Sequence, residues 1–288
     1  MTTLRILGPA ALLALAAACT TEKTADDAAD APAATPAASA DARVVTVHAR
    51  DFAFQLPDTI EAGFTTLRLV NDGPDLHHVQ LLRLDAGHTM DELMAAMRNP
   101  GPPPAWVHDV GGPNTPAPGD TAEAALDLAA GNYAVVCFIP APDGMPHIMK
   151  GMAHGLVVKP AVVQVAAAAP TADTDITLDD YTFTLSRPLT AGHHTIRVTN
   201  QASQSHEVVL VKLAPGKTAQ DVVTWVEKRD GPPPGTPLGG VTAIAQGVAN
   251  YMMVGLEPGE YALLCFVPDA ADGKPHVMHG MTQQFSVQ

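Results

Sequence analysis

The sequence predicts an all-β protein of two tandem Greek-key β-sandwich domains, each with one short inserted helix. Two observations lead to this prediction. The chain of 288 residues contains a segment of roughly 115 residues twice in succession. Each copy consists mostly of short apolar runs separated by turns, in a chain that holds 26 prolines and 23 glycines.

The internal repeat sets the predicted domain boundaries. The tetrapeptide DFAF at 51–54 returns as DYTF at 180–183. The segment 137–152 returns as 265–281, and both share Cys, Phe, Pro, Asp, Gly, Pro, His, Met, Gly and Met in the same order. The predicted domains span 44–159 (the first repeat) and 173–288 (the second repeat), joined by an Ala-rich linker over 160–172.

Local patterns place the strands and the helix within each repeat. The run TTLRL at 65–69 alternates apolar and polar residues, as expected when one sheet face is buried. A helix is predicted over 91–98 with Thr89 as its N-cap, and its counterpart is predicted over 218–228. The strands predicted in the first repeat are 44–47, 65–70, 78–84, 121–128, 133–139 and 156–158.

The N-terminal residues are predicted to direct export. Arg5 is followed by an apolar stretch too short to span a bilayer and then by Cys19, which is typical of a bacterial signal peptide over 1–19. The end of this segment resembles a lipobox with Cys19 as the lipidated residue, and an ordinary secretory signal cleaved nearby is the alternative. Residues 20–43 are predicted to form a disordered tether. We therefore expect a lipid-anchored protein of the bacterial cell envelope that faces the periplasm.

The charge balance narrows the possible partners. The chain has 16 basic and 30 acidic residues, a formal net charge of −14, so nucleic-acid binding is disfavoured. An acidic surface favours instead a redox partner protein with a basic docking surface. No apolar run reaches the ~18 residues of a membrane-spanning helix, so membrane contact is expected through the N-terminal lipid only. Three cysteines do not provide a disulfide framework.

Each repeat carries the same set of potential metal ligands in the same order. Two imidazoles, one thiolate and one thioether form a blue-copper donor set, in which the His₂Cys plane binds copper and the distant Met tunes its potential. The candidate ligands are His77, Cys137, His147 and Met152 in the first repeat, and His206, Cys265, His276 and Met281 in the second.

The motifs around these residues resemble the cupredoxins, the blue copper family of plastocyanin and azurin. The motifs are Asn-x5-His, a Cys that ends an apolar strand, and His-x3-Gly-Met, and each occurs twice. The resemblance covers nearly all of the chain after residue 43. It implies a cupredoxin-like fold, up to one type 1 copper per domain held by the eight residues named above, and one-electron transfer.

Two features depart from the family pattern. Cupredoxins usually place only a few residues between the Cys and the second His, whereas nine intervene in the first repeat and ten in the second. Many members have Asn directly after the first ligand His, where this chain has His78 and Glu207. The surroundings of the copper, and so its potential, are expected to differ from the usual ones.

Other interpretations of the same residues stay open. Cys137 and Cys265 are also compatible with small apolar core residues, and the histidines with polar loop residues. Met149 and Met278 are alternative axial ligands.

The sequence predicts an electron carrier and not an enzyme. Two-domain cupredoxins include copper nitrite reductases and small laccases, which resemble one another in placing a His next to the site Cys. Here Phe138 and Phe266 follow the cysteines, so we expect no oxidase or reductase activity. The alternatives are a periplasmic copper-handling or chaperone protein and a metal-free cupredoxin-like interaction module.

Overall fold

The computed structural model describes residues 43–99, 101, 103–162 and 168–288. The predicted signal peptide, its lipobox Cys19 and all of the predicted tether except Arg43 lie outside these residues, so both stay predictions. Within the described ranges, no helix is both long enough and apolar enough to cross a membrane.

The described residues form seventeen strands and two helices, and the order of elements in the first repeat recurs in the second, with β3 as an extra strand. The first repeat contains β1 (Arg43–Arg50), β2 (Ala53–Gln55), β3 (Thr59–Glu61), β4 (Gly63–Asn71), β5 (Gln80–Leu84), α1 (Met90–Met97), β6 (Val107–Gly111), β7 (Thr121–Leu128), β8 (Gly131–Val136) and β9 (Ala153–Lys159). The second contains β10 (Thr174–Asp179), β11 (Thr182–Leu185), β12 (Gly192–Asn200), β13 (His206–Leu213), α2 (Ala219–Lys228), β14 (Gly235–Ile244), β15 (Ala249–Leu256), β16 (Gly259–Leu264) and β17 (Thr282–Val287).

The strands form two sheets that both run through the two repeats. One sheet has the order β11-β10-β12-β15-β7-β4-β1-β2, and the other has the order β17-β16-β13-β14-β6-β5-β8-β9-β3. The repeats join edge to edge, because β15 pairs with β7 in the first sheet and β14 meets β6 in the second. Strands β1 and β4 are parallel neighbours, and so are their counterparts β10 and β12. The all-β prediction is confirmed, whereas the exact boundaries around 160–172 stay a prediction.

Each repeat encloses its own apolar core. Leu69 of β4 and Leu81 of β5 are buried in the first core, and Val198 of β12 and Leu210 of β13 are buried in the second. These pairs come from opposite sheets, as expected for a sandwich closed by the inward faces of alternating strands. Each fully buried aliphatic side chain of this kind contributes about 1.5–3 kcal/mol.

Both helices begin within one residue of the predicted position, α1 one residue earlier and α2 one residue later. Thr89 and Thr218 are the N-caps, and each forms a capping box with the acidic residue three positions later. The side-chain oxygen of the cap accepts a backbone N–H of the first turn, which otherwise has no partner in the helix. On α1, Leu93 packs into a small cluster with Leu82 and Ile148 on the outer face of the sheet.

Two predicted strands are shorter in the structure. The strand predicted over 133–139 ends at Val136, because the next residues bond to the chain around the candidate site: Cys137 N–H donates to the Met152 carbonyl (3.3 Å). The strand predicted from residue 78 begins at Gln80, because the Val79 N–H donates to the Pro113 carbonyl in a loop (3.0 Å).

Buried polar side chains join the two repeats. Asn114 Nδ2 donates to the Val208 carbonyl (3.1 Å), and Thr242 Oγ1 donates to the Val79 carbonyl (3.1 Å). Val79 and Val208 occupy the same position in the two repeats, so the two contacts are related by the internal symmetry. A buried polar group without a partner costs free energy, so these bonds disfavour any other arrangement of the two repeats.

The protonated form of His194, a residue of β12, is stabilised by its neighbours. Its Nδ1 lies 2.9 Å from Asp173 Oδ1 and its Nε2 lies 2.8 Å from the Thr190 carbonyl, so both nitrogens face acceptors. Burial of the side chain, which is 11% exposed, opposes the charge, but the bonds to Asp173 and Thr190 outweigh it and raise the pKa of His194.

We expect His194→Gln to lower the free energy of unfolding by up to about 1 kcal/mol at pH 6, and by less at pH 9. The folded-state pKa lies above the unfolded value of about 6.5. The stabilisation is therefore fully present below that value and is lost as the pH rises through the folded-state pKa. Urea unfolding at both pH values measures this, with His193→Gln, an exposed neighbour, as the control. Equal losses at the two pH values contradict the prediction.

Candidate metal sites

Three donor side chains converge in the first repeat. His77 lies in the loop before β5, Cys137 directly follows β8, and His147 opens a 3₁₀ turn (His147–Lys150). All three are fully buried. His147 Nδ1 lies 3.2 Å from His77 Nδ1 and 3.6 Å from Cys137 Sγ.

The second repeat places the corresponding side chains in the same way. His206 is the first residue of β13, Cys265 directly follows β16, and His276 opens a 3₁₀ turn (His276–His279). Cys265 Sγ lies 3.3 Å from His276 Nδ1 and 3.8 Å from His206 Nδ1. In both repeats the three donor atoms lie within 4.8 Å of one another.

The long segment between the Cys and the second His folds back on itself. In the first repeat a bridge joins Pro140 to Pro146, and the Ala141 N–H donates to the Met145 carbonyl (2.9 Å). The two strands of this hairpin leave and return side by side, so the His147 side chain comes back next to Cys137. The equivalent bridge in the second repeat joins Pro268 to Pro275. The unusual spacing therefore still brings the three donors together.

The donor set fits a metal ion of the copper type. Nitrogen and sulfur donors about 2.0 and 2.3 Å from one ion, at trigonal angles, lie roughly 3.5–3.8 Å from each other. The separations of 3.2–3.8 Å in the two repeats are close to these values. Imidazole and thiolate both suit copper, and a trigonal His₂Cys set with a more distant Met is the arrangement of blue-copper sites. The two buried His₂Cys groups are thus suited to bind copper.

An aspartate orients the first histidine of each group. Asp51 Oδ1 lies 2.8 Å from His77 Nε2, and Asp180 Oδ1 lies 3.1 Å from His206 Nε2. A neutral imidazole that donates its Nε2–H to a carboxylate presents the Nδ1 lone pair to the centre of the site. The two aspartates therefore select the tautomer that a metal needs. The sequence alone does not indicate this role, although both residues stand at the same position of the repeat.

Burial keeps the metal-free donors in their neutral forms. Desolvation lowers the pKa of His77 in spite of the nearby Asp51 carboxylate, and it lowers the pKa of His276 to about 4. Desolvation also raises the pKa of the Cys137 thiol to about 12, and it raises that of Cys265. The imidazole lone pairs are available for coordination, whereas each thiol must release a proton when a metal binds.

The two kinds of candidate axial methionine have different surroundings. Met152 and Met281 are fully buried and belong to the same cores as Cys137 and Cys265. Met149 is 38% exposed and Met278 is 52% exposed. Burial next to the cysteine favours Met152 and Met281 as the predicted axial ligands.

The residues after the first histidines connect the ligand loops. His78 Nε2 accepts the Phe138 N–H (2.9 Å), and Glu207 Oε1 accepts the Phe266 N–H (2.9 Å). Although neither residue is the Asn that is common in the family, each ties the first-His loop to the residue after the cysteine. Asn114 Nδ2 also donates to Glu207 Oε2 (2.9 Å), so the first repeat supports the surroundings of the second site. No local sequence signal indicated this role of Asn114.

The architecture is cupredoxin-like, as the motifs predicted. Two-sheet β-sandwich packing is repeated twice, and each repeat brings one buried His, Cys and His together. The role of the eight predicted residues as metal ligands stays a prediction. No protein-family model matches the chain, and no curated protein matches it.

Solved structures with a similar fold belong to several kinds of protein. Auracyanin B is 20% identical over 42% of this chain and 93% of that chain, with a TM-score of 0.31. A Cu-containing nitrite reductase from Thermus scotoductus is 14% identical over 85% of this chain and 62% of that chain, with a TM-score of 0.24. A blue copper oxidase from Nitrosomonas europaea is 17% identical over 86% of both chains, with a TM-score of 0.25. Similarity at this level carries no information about activity.

Proposed function

We propose that the protein is an exported one-electron carrier with a type 1 copper in each repeat. The observation that carries the proposal is the pair of buried His₂Cys groups, whose donor atoms all lie within 4.8 Å of one another. The proposed ligands are His77, Cys137 and His147 with Met152 as the axial ligand, and His206, Cys265 and His276 with Met281 as the axial ligand.

The side chains around each group suit a site that changes charge without changing shape. When bound, copper supplies a single electron by alternating between Cu(II) and Cu(I). The chain supplies donors that are already close together, and it holds His77 and His206 through Asp51 and Asp180. Complete burial of the donors excludes water from the site. Donors that are already held in place move little when the copper charge changes, and such small structural reorganisation favours rapid electron transfer.

We further propose that the protein is not an oxidase or reductase. Phe138 and Phe266 stand directly after the two cysteines, where a second copper centre on the same strand needs a histidine. With copper bound, the protein is expected to turn over neither oxygen nor nitrite. Oxygen uptake and nitrite loss in the presence of an electron donor measure these activities.

We propose that the protein is located in the bacterial cell envelope and exchanges electrons with a partner protein. A signal peptide that ends at Cys19 would anchor the chain by its N-terminal lipid to the bacterial cell envelope, facing the periplasm. The net charge of −14 would steer a redox partner with a basic docking surface.

Electron-transfer rates with a cationic partner should fall as ionic strength rises, because salt screens the electrostatic attraction between the two proteins.

Copper stoichiometry with an optical spectrum tests the proposal. The full chain, loaded with Cu(II), should bind two copper ions and show an intense thiolate-to-copper band that is bleached reversibly by one electron per copper. Uptake of Cu(I) without this band favours copper handling or delivery instead. Absence of copper uptake favours a metal-free interaction module.

A further inference from the structure

The two candidate sites differ in the charge beside the second histidine. In the second repeat, Asp269 Oδ2 lies 3.7 Å from the buried His276 Nε2. Ala141 occupies the equivalent position in the first repeat, since each residue directly follows the proline that opens the ligand hairpin. His147 Nε2 and His276 Nε2 are both buried without a hydrogen-bond partner among the described residues, so the two imidazoles differ in the nearby charge and not in a hydrogen bond. A carboxylate therefore lies against only one of these two imidazoles.

Several hydrogen bonds hold Asp269 as an anion. Its Oδ2 accepts the Tyr181 hydroxyl (2.6 Å) and the Gln204 amide (3.1 Å), and its Oδ1 accepts the N–H groups of Ala271 (2.8 Å) and Asp272 (3.3 Å). The residue is only 5% exposed, so water screens its charge weakly. The first repeat has Phe52 in place of Tyr181, so its ring carries no hydroxyl that could hold a carboxylate there.

The other charged groups around the sites do not cancel this difference. Asp51 and Asp180 occupy equivalent positions beside the first histidines. Glu207 is a further acidic group beside Cys265, where the first site has His78, so it does not oppose Asp269, and the Asp269→Asn variant described below separates the two contributions. Lys150 lies over the Phe52 ring on the first site's side, and its charge is paired with Asp143 (2.5 Å). Asp75 is an acidic group of the first site where the second has Gln204, but it is partly exposed and therefore screened by solvent.

We propose that Asp269 makes the second site the one with the lower reduction potential, so that a single electron shared within the chain resides at the first site. The inference rests on the proposed copper function. A negative charge against the outer nitrogen of a ligand histidine makes the imidazole a stronger donor and favours Cu(II) over Cu(I). The two sites are then unequal, although the repeat preserves their ligands. Asp269 acts as a positioning and electrostatic residue through His276.

Single-site chains allow the two potentials to be measured separately. Cys137→Ala leaves only the second site, and Cys265→Ala leaves only the first. Spectroelectrochemical titration of the thiolate band in each full-length variant should show a Cu(II)-to-Cu(I) affinity ratio at least tenfold higher at the second site, which is a potential about 59 mV lower.

Asp269→Asn in the Cys137→Ala chain removes the charge and keeps the shape of the side chain. We expect it to lower the affinity ratio of the second site by at least tenfold and so raise the potential by about 59 mV, without loss of the band. Asp272→Asn, which changes a more exposed carboxylate on the same loop, is the control and should have a much smaller effect. The reverse change, Phe52→Tyr together with Ala141→Asp in the Cys265→Ala chain, introduces the carboxylate and its hydroxyl donor at the first site and should lower the potential of that site.

The outcomes separate this inference from the proposed function. Two single-site chains with the band and equal potentials would overturn the inference and leave the electron carrier intact. An Asp269→Asn variant with an unchanged potential would also overturn the inference and leave the electron carrier intact. Absence of the band in both single-site chains overturns the proposed function and the inference together.

Discussion

Replacing Cys137 and Cys265 together by alanine should abolish the thiolate-to-copper band and bring copper binding from two equivalents to none. Each single replacement should leave one equivalent. The thiolate is the charged ligand of each group, so its loss leaves two neutral imidazoles and a buried gap. We expect affinity at the altered site to fall by more than the roughly 10–100-fold that is typical when only an outer partner is lost. Copper analysis after dialysis, together with the visible spectrum, measures the effect.

Met149→Ala is the matched control for the cysteine variants. Met149 is 38% exposed and lies in the same turn as His147, so its removal alters the neighbourhood without removing a proposed ligand. This variant should keep both copper ions and the full band. Unfolding curves of the metal-free proteins show whether the cysteine variants still fold. A folded double variant that retains the band would exclude the cysteines as ligands.

Gly240→Ala should lower the free energy of unfolding by at least about 4 kcal/mol, which is in the exceptional range for a single replacement. Gly240 has φ +130°, and an added Cβ would lie 1.9 Å from the Val208 carbonyl oxygen. That oxygen also accepts the Asn114 amide of the first repeat, so the backbone cannot retreat without breaking a buried bond. Urea unfolding of the metal-free chain measures the loss.

Gly247→Ala separates the close contact from the backbone conformation alone. Gly247 also has a positive φ, +79°, but no atom lies within 4 Å of the position of an added Cβ. The cost of placing a side chain in this conformation is about 1–2 kcal/mol. If the two alanine variants lose the same stability, the contact with Val208 is not the cause. At the equivalent position of the first repeat, a Cβ added to Gly112 would lie 2.3 Å from the Val79 carbonyl oxygen.

Much of the fold could be predicted because its signals are local. Alternation of apolar and polar residues in segments such as β4 and β7 depends only on which sheet face is buried. The N-cap of α1 is another local signal, because a threonine directly before an amphipathic segment favours the start of a helix. Because the sequence is repeated, each of these signals occurs twice, which makes a coincidental pattern easier to recognise.

The surroundings of the sites could not be predicted because they combine residues that lie far apart in the chain. Asp51 reaches His77 across 26 positions, and Asn114 reaches Glu207 across 93 positions. Neither pair has a spacing that indicates contact. The long Cys-to-His segment was equally ambiguous, since a turn signal does not tell whether the chain returns to its starting point.

The sequence by itself determined the β-sandwich class, the duplication and the identity of the candidate donors, because strand periodicity and ligand chemistry are properties of short segments. Only the tertiary structure decided that the hairpins at Pro140 and Pro268 return each second histidine to its cysteine, and that both sheets continue from one repeat into the other. It also decided that Asp269 lies 3.7 Å from the His276 ring, whereas Ala141 stands at the equivalent position of the first repeat. These features depend on backbone hydrogen bonds and packing between distant segments, which no local pattern encodes.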